Sequence, residues 1–304
     1  MTIAQLLKNL QVPDHPVDVV LDTDAYNEID DQFAIAYLLR SEKLKVKGLC
    51  AAPFLNSKSV SPADGMEKSY KEIFKIVRLA GRSDQDEVIF RGSDRYLPDE
   101  STPVPSDSAT FMVELSKQYS AENPLYIVAI GAITNVASAL LMDPEMKDRV
   151  VLVWLGGTGW HMPRNEEFNL TQDIAAARII FGCGAPLVQL PCAGVVDSFT
   201  VSKYELEYWL QDKTPLSDYL ARNTIAEAES YASGKPWTRV IWDVTAIAWL
   251  LNDQGRFMDC EIRHSPIPEY DDHYAMDNTR HFMCYVNKIH RDQLMEDLIQ
   301  TILK

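Results

Sequence analysis

The sequence predicts an open α/β architecture, a mostly parallel sheet with helices on both faces. Three observations carry that reading. Short β-branched apolar runs, bounded by charges and turns, recur along the first two thirds of the chain. Helical patterns separate them, with apolar residues three and four apart. After residue 200 the pattern becomes mostly helical.

In order, VDVVLD (17–22) reads as a buried strand. From Asp30 the spacing of Phe33, Ala36, Tyr37 and Arg40 is helical. LKVKGLCAAP (44–53) is the second strand, and MEKSYKEIFKIVRLAG (66–81) an amphipathic helix ending at Gly81. EVIF (87–90) is a third strand. SDSATFMVELSKQY (106–119) opens on N-cap residues and turns amphipathic. PLYIVAI (124–130), VVLVWLGG (150–157) and LVQL (187–190) are further strands, separated by helices at 134–143 and 174–181. Helical segments near 201–231 and 241–252, strands near 260 and 282–286, and a helix at 291–303 complete the chain. No repeat, low-complexity tract or linker interrupts it, so a single domain over 1–304 is expected.

The chain has 304 residues, 46% hydrophobic, with a formal charge of -15. That composition belongs to a globular protein. Polyanion binding needs a basic surface, so nucleic acid and anionic membranes are poor partners, whereas a small neutral ligand is admissible. The five cysteines show no zinc-ligand spacing and read as free thiols. The N-terminal stretch lacks the apolar core of a signal peptide. The longest uncharged run, 179–196, carries prolines and glycines and fits strands between turns better than a membrane span. A cytoplasmic location is expected.

Asp22, Asp24, Glu28, Asp30 and Asp31 crowd the point where the first strand hands over to a helix. In open α/β sheets ligands bind at the carboxyl ends of strands. Acidic residues in a helix's first turn are ordinary dipole partners, which accounts for Asp30 and Asp31 alone. Four aspartates around one strand end exceed that explanation. Buried like charges repel, and a hard divalent cation, calcium ahead of magnesium, removes the repulsion. An EF-hand does not fit, because Phe33 stands where its last carboxylate belongs.

These residues resemble the nucleoside hydrolase family, the inosine-uridine-preferring hydrolase superfamily, which opens with a strand, DxDxGxDD and a helix. The match here is Asp22-Thr-Asp24 with Asp30-Asp31. The likeness covers nearly the whole chain. IVAIGAITNVASALLMDP (127–144), VLVWLGGTG (151–159), EEFNLTQDIAAARIIF (166–181) and Trp242-Asp243 follow in the family's order.

The resemblance implies a Rossmann-like core and hydrolysis of the N-glycosidic bond of ribonucleosides, with Ca2+ as cofactor. Asp24, Asp31 and Asp243 would give the ion carboxylates, and Ile130 its backbone carbonyl. Asp24 would act as general base. Asp30 and Asn169 would hold the ribose diol, with Asn56 nearby, and Glu167, with Asn165, the 5′-hydroxyl. Homodimers or homotetramers are common in the family. An oxocarbenium-like transition state explains the need for carboxylates around the sugar.

Two departures stand out. The loop from Ala25 to Ile29 is longer than the family's and lacks its Pro-Gly. Its Asn27 and Glu28 are expected to cap or support the following helix, with a reach towards the sugar or the metal's surroundings as the alternative. Trp242 stands where some members carry a histidine as leaving-group acid, which gives a lean towards purine nucleosides, whose base would stack on the indole. His161 and His273 are expected in structural or surface positions. Asp22-Thr-Asp24 also fits the nucleophile motif of haloacid dehalogenase-type phosphotransferases, but their lysine and late acidic pair have no match. A calcium-dependent binder without turnover, or a hydrolase of another ribosylated compound, is the remaining alternative.

Overall fold

The computed structural model describes residues 1–304. From the N-terminus run α1 (Ile3–Asn9), β1 (Val17–Thr23), α2 (Asp30–Arg40), β2 (Leu44–Ala51), α3 (Pro62–Leu79) and β3 (Ile89–Arg91). Next come α4 (Asp107–Ser116), β4 (Leu125–Ala129), α5 (Thr134–Met142), β5 (Val150–Leu155), α6 (Phe168–Gln172), α7 (Ile174–Gly182) and β6 (Leu187–Leu190). The last third holds β7 (Thr200–Ser202), α8 (Lys203–Glu205), α9 (Pro215–Ala232), β8 (Thr238–Val240), α10 (Val244–Trp249) and β9 (Met258–His264). It ends with β10 (Ile267–Pro268), β11 (Tyr274–Ala275), β12 (Phe282–Ile289) and α11 (Arg291–Ile302).

Eight strands form the central sheet in the order β3-β2-β1-β4-β5-β6-β12-β9. All neighbours pair in parallel except β12 and β9. The central strands β4 and β5 are apolar along their length because both faces are covered, and successive side chains point to opposite faces. Val19, Leu21, Val128, Val151 and Val153 enter one core, with residues of α2, α10 and α11. Val20, Ile127, Leu152 and Trp154 enter the other, with residues of α4, α5 and α7.

Local sequence sets the helix boundaries. Ser61 caps α3 by accepting from the Asp64 amide, and Pro62 opens it. Beyond its end Gly81 takes φ +68, the left-handed conformation that glycine adopts without strain. Thr214 and Ser217 form a capping box at the start of α9, again followed by proline.

The chain lays down β1, β2 and β3 outward to one edge, then returns to place β4 on the other side of β1. Connections from β1 and β4 therefore leave in opposite directions, which opens a crevice at their carboxyl ends. Asp24 and Ile130 directly follow those two strands. The packing of α10 against α2 brings the start of the late helix to the same place.

Some elements differ from the sequence expectations. In the 201–231 segment α8 runs on as a π-helical turn at Leu206–Leu210, and 211–214 breaks the helix before α9 begins. The 241–252 helix contracts to Val244–Trp249. The two late strands are an antiparallel pair at the sheet edge. α1, α6 and the small β7–β8 and β10–β11 pairs were not marked by any pattern. The uncharged 179–196 run covers the end of α7, a turn and β6, and no helix is long and apolar enough to cross a membrane.

Candidate active site

The crevice holds a cavity of about 410 Å3. Asp24 enters it from the end of β1, and Asp30 and Asp31 from the first turn of α2. Asp243 comes from the residue preceding α10. All four side chains are buried. Asp30, Asp31 and Asp243 each place an oxygen within 4.8 Å of the others. Asp31 accepts from the Thr23 hydroxyl, and Asp30 from the Asp243 amide at 3.3 Å. Neither oxygen of Asp24 has a partner.

Burial raises every one of these carboxyls, since a charged group loses its water there. Asp24, Asp30 and Asp243 are pushed well above the usual range, first by desolvation and then by neighbouring carboxylates. Asp31 rises to about 6, with the Thr23 hydroxyl opposing the effect of burial. Asp22, behind them, rises to about 7. Unpaired buried carboxylates are unstable unless a cation or a proton compensates them. The donors are all hard oxygens, and two belong to a side chain with nothing else to bind. The set therefore fits a hard divalent cation.

The cavity wall continues with Asn56, Ile130, Glu167, Asn169 and Trp242. Asn169 donates to the Ile130 carbonyl at 3.2 Å and to the Leu155 carbonyl at 3.0 Å, tying the ends of β4 and β5 together. Glu167 is the N-cap of α6. It accepts from the amides of Gly157 (2.7 Å), Asn169 (2.9 Å) and Leu170 (3.1 Å). Burial raises its carboxyl, and these donors oppose the shift. Trp242 is half-buried against the core formed with α10.

Asn165 is placed elsewhere. It is fully buried outside the cavity, and its amide donates to the His273 carbonyl at 2.9 Å, pinning the loop between β10 and β11. Asn27 and Glu28 do not cap α2, whose N-cap is Ile29 with no side-chain bond. Both line the cavity instead. Asn27 accepts from Asn56 at 2.6 Å, and Glu28 pairs with Arg239 at 2.9 Å. Arg239 also meets Glu227, which binds Lys58, so ion pairs brace the rim. His161 lies against Gly159 and Gly194, and His273 is exposed. No histidine is among the lining residues.

Three contributors escaped the sequence reading. Phe168 lines the cavity between Glu167 and Asn169, and its place inside the EFN motif was the available signal. Cys192 lies in the uncharged run, where nothing marked it. Asn135, inside the GAITN segment, forms a buried knot beneath the cavity. It donates to Asp22 at 2.8 Å and to the Ala51 carbonyl at 3.1 Å, and it accepts from the Ser93 amide at 2.7 Å. Asn135→Ala orphans several buried groups at a cost of roughly 1–3 kcal/mol each. We expect denaturant unfolding to show a loss of about 3 kcal/mol or more. A loss below about 1 kcal/mol contradicts the assignment.

A sequence profile of the inosine-uridine preferring nucleoside hydrolases matches residues 19–291. A probable uridine nucleosidase 2 of Arabidopsis thaliana is 25% identical over 225 residues, 67% of each chain. The pyrimidine-specific ribonucleoside hydrolase RihA of Escherichia coli (strain SMS-3-5 / SECEC) is 26% identical over 261 residues, covering 78% of this chain and 80% of its own. Among solved structures, a purine-preferring ribonucleoside hydrolase from Gardnerella vaginalis shares the fold with a TM-score of 0.74 at 19% identity, over 94% of this chain and 98% of its own. With its strand-end carboxylates gathered in the crevice, the chain belongs to the inosine-uridine preferring nucleoside hydrolase family and is a hydrolase of the N-glycosidic bonds of ribonucleosides.

Proposed function

We propose that this hydrolase is calcium-dependent and acts best on purine ribonucleosides. The observation that carries the reading is Asp24, a buried carboxylate with two unpartnered oxygens beside Asp30, Asp31 and Asp243. Asp24, Asp31, Asp243 and the Ile130 carbonyl would hold the ion. When bound, calcium supplies positive charge that acidifies water and gathers the carboxylates with the sugar hydroxyls.

Asp24, whose oxygens have no hydrogen-bond partner in the protein, takes the proton from the attacking water. Asp30 and Asn169 hold the ribose diol, with Asn56 beside them. Glu167, fixed by three amides, accepts from the 5′-hydroxyl. As the glycosidic bond lengthens, positive charge on the ribosyl ring falls among oriented carboxylates and carbonyls that need not reorganise.

The base preference rests on Trp242. A bicyclic base covers more of an indole face than a pyrimidine does, and base–aromatic stacking is worth roughly 1–3 kcal/mol. Trp242→Ala should therefore lower kcat/KM for inosine about tenfold or more, and for uridine less. An equal loss on both bases removes the stacking role. The relatives whose names specify uridine or pyrimidine substrates set the opposing expectation.

The deciding experiment is base release by HPLC from inosine, adenosine, guanosine, uridine and cytidine, with calcium and with chelator. Calcium-dependent release led by the purines supports the proposal. Release led by uridine overturns the base preference, and release indifferent to chelation overturns the metal. We also place the protein in the cytoplasm, consistent with five free cysteines, as a homodimer or homotetramer. Light scattering after gel filtration tests the assembly.

A further inference from the structure

Away from the catalytic crevice, a second group of side chains sits at the edge of the central sheet. In the β9–β12 ladder Cys260 lies opposite Val286, and Cys284 opposite Ile262. The two cysteines are thus diagonal neighbours on one face of an antiparallel pair. Both line a cavity of about 490 Å3, together with Trp249, Leu10 and Met258. Cys260 is exposed and Cys284 is buried. Trp249 is fully buried, and its indole N–H has no hydrogen-bond partner of ordinary geometry. Trp249, Cys260 and Cys284 all line that cavity.

The two thiols are unequal. The Cys284 thiol beside it lowers Cys260, with help from Trp249, whereas Cys284 is raised well above the usual range by Cys260 and by burial. An exposed thiol next to a buried one suits attack by the first and resolution by the second. β9 is an edge strand, paired on one side only, and its ladder shifts register between Val286 and Lys288.

We propose that Cys260 and Cys284 form an oxidisable dithiol that hydroperoxides close to a disulfide. The Cys260 thiolate attacks the peroxide and breaks its O–O bond, giving a sulfenic acid and, from hydrogen peroxide, water. Cys284 then attacks that sulfur, forming the S–S bond and releasing the second oxygen as water. The two thiols lose two electrons, which the peroxide gains, and their two protons leave in the two waters.

The test treats the full-length protein with a few equivalents of hydrogen peroxide and records intact mass without reductant. The expected product is lighter by about 2 Da, lacks two of the five free thiols, and reverts with dithiothreitol. Peptide mapping should join Cys260 to Cys284. Cys260→Ser, at an exposed position, should abolish the product, while Cys183→Ser should leave it intact. A gain of one or more oxygens with Cys284 still free, no change in mass, or a disulfide joining other cysteines overturns the proposal.

Discussion

Asp24→Asn is expected to lower kcat for base release by about a thousandfold or more while leaving the calcium-free protein at least as stable as the wild type. The two halves share one cause. Asp24 is buried, has no partner for either oxygen, and is pushed up by desolvation and by Asp31 and Asp30. Removing its charge relieves repulsion in the folded state, so thermal unfolding in chelator should occur at an equal or higher temperature. The same substitution removes the carboxylate proposed as the base and as a calcium ligand. A positioned base alone contributes about a hundredfold to ten-thousandfold. Steady-state kinetics on inosine and calorimetric unfolding with and without calcium check both halves. Retention of a tenth of wild-type kcat, or a large loss of chelated stability, contradicts the role given to Asp24.

Chelation should also reverse the usual response to acid. In the folded chain Asp22 titrates at about 7 and Asp31 at about 6, against roughly 4 for an aspartate in an unfolded chain. Asp24, Asp30 and Asp243 are displaced in the same direction. As pH rises from 4 to 7 the unfolded chain gives up these protons before the folded one does. The folded state then holds more protons, so its stability falls with rising pH. Stability from this source is complete below the unfolded value and is lost as pH passes through the folded values. Each unit of displacement corresponds to roughly 1.4 kcal/mol at full effect. The melting temperature of the chelated protein should drop by on the order of 5 °C or more between pH 5 and 7.5. Saturating calcium stabilises the ionised carboxylates and should flatten or invert that slope. Differential scanning fluorimetry across the pH range decides it. A chelated protein that becomes more stable from pH 5 to 7.5 rules the explanation out.

The sheet was legible because several inner strands are apolar or nearly so: 125–129 and 150–155, and 187–190 with Gln189 its one polar residue, are buried at every position, and little but a parallel strand tolerates that pattern. The two-residue strands β10 and β11 carry no periodicity of their own and exist through tertiary contact. Convergence of Asp24, Asp31 and Glu167 was legible through motifs, since segments that follow the carboxyl ends of parallel strands meet however far apart they stand in sequence, whereas Asp243 arrives through the packing of α10 on α2. Side-chain direction was not. Asn165 stands two residues before Glu167, yet it turns towards His273, while Glu28 turns towards Arg239, more than two hundred positions away. Spacing within a loop does not encode that choice, because backbone conformation there is set by packing rather than by period.

The knot around Asn135 has a consequence for motion. The Ser93 amide donates to a side chain that is itself held by Asp22 and the Ala51 carbonyl, all out of reach of water. That amide should exchange its hydrogen with solvent only through opening of the whole sheet, on the timescale of global unfolding. The rim is held differently, by ion pairs among Glu28, Arg239, Glu227 and Lys58 that remain partly open to solvent, and amides there should exchange through local opening. Local opening at the rim would thus leave the carboxylates beneath aligned.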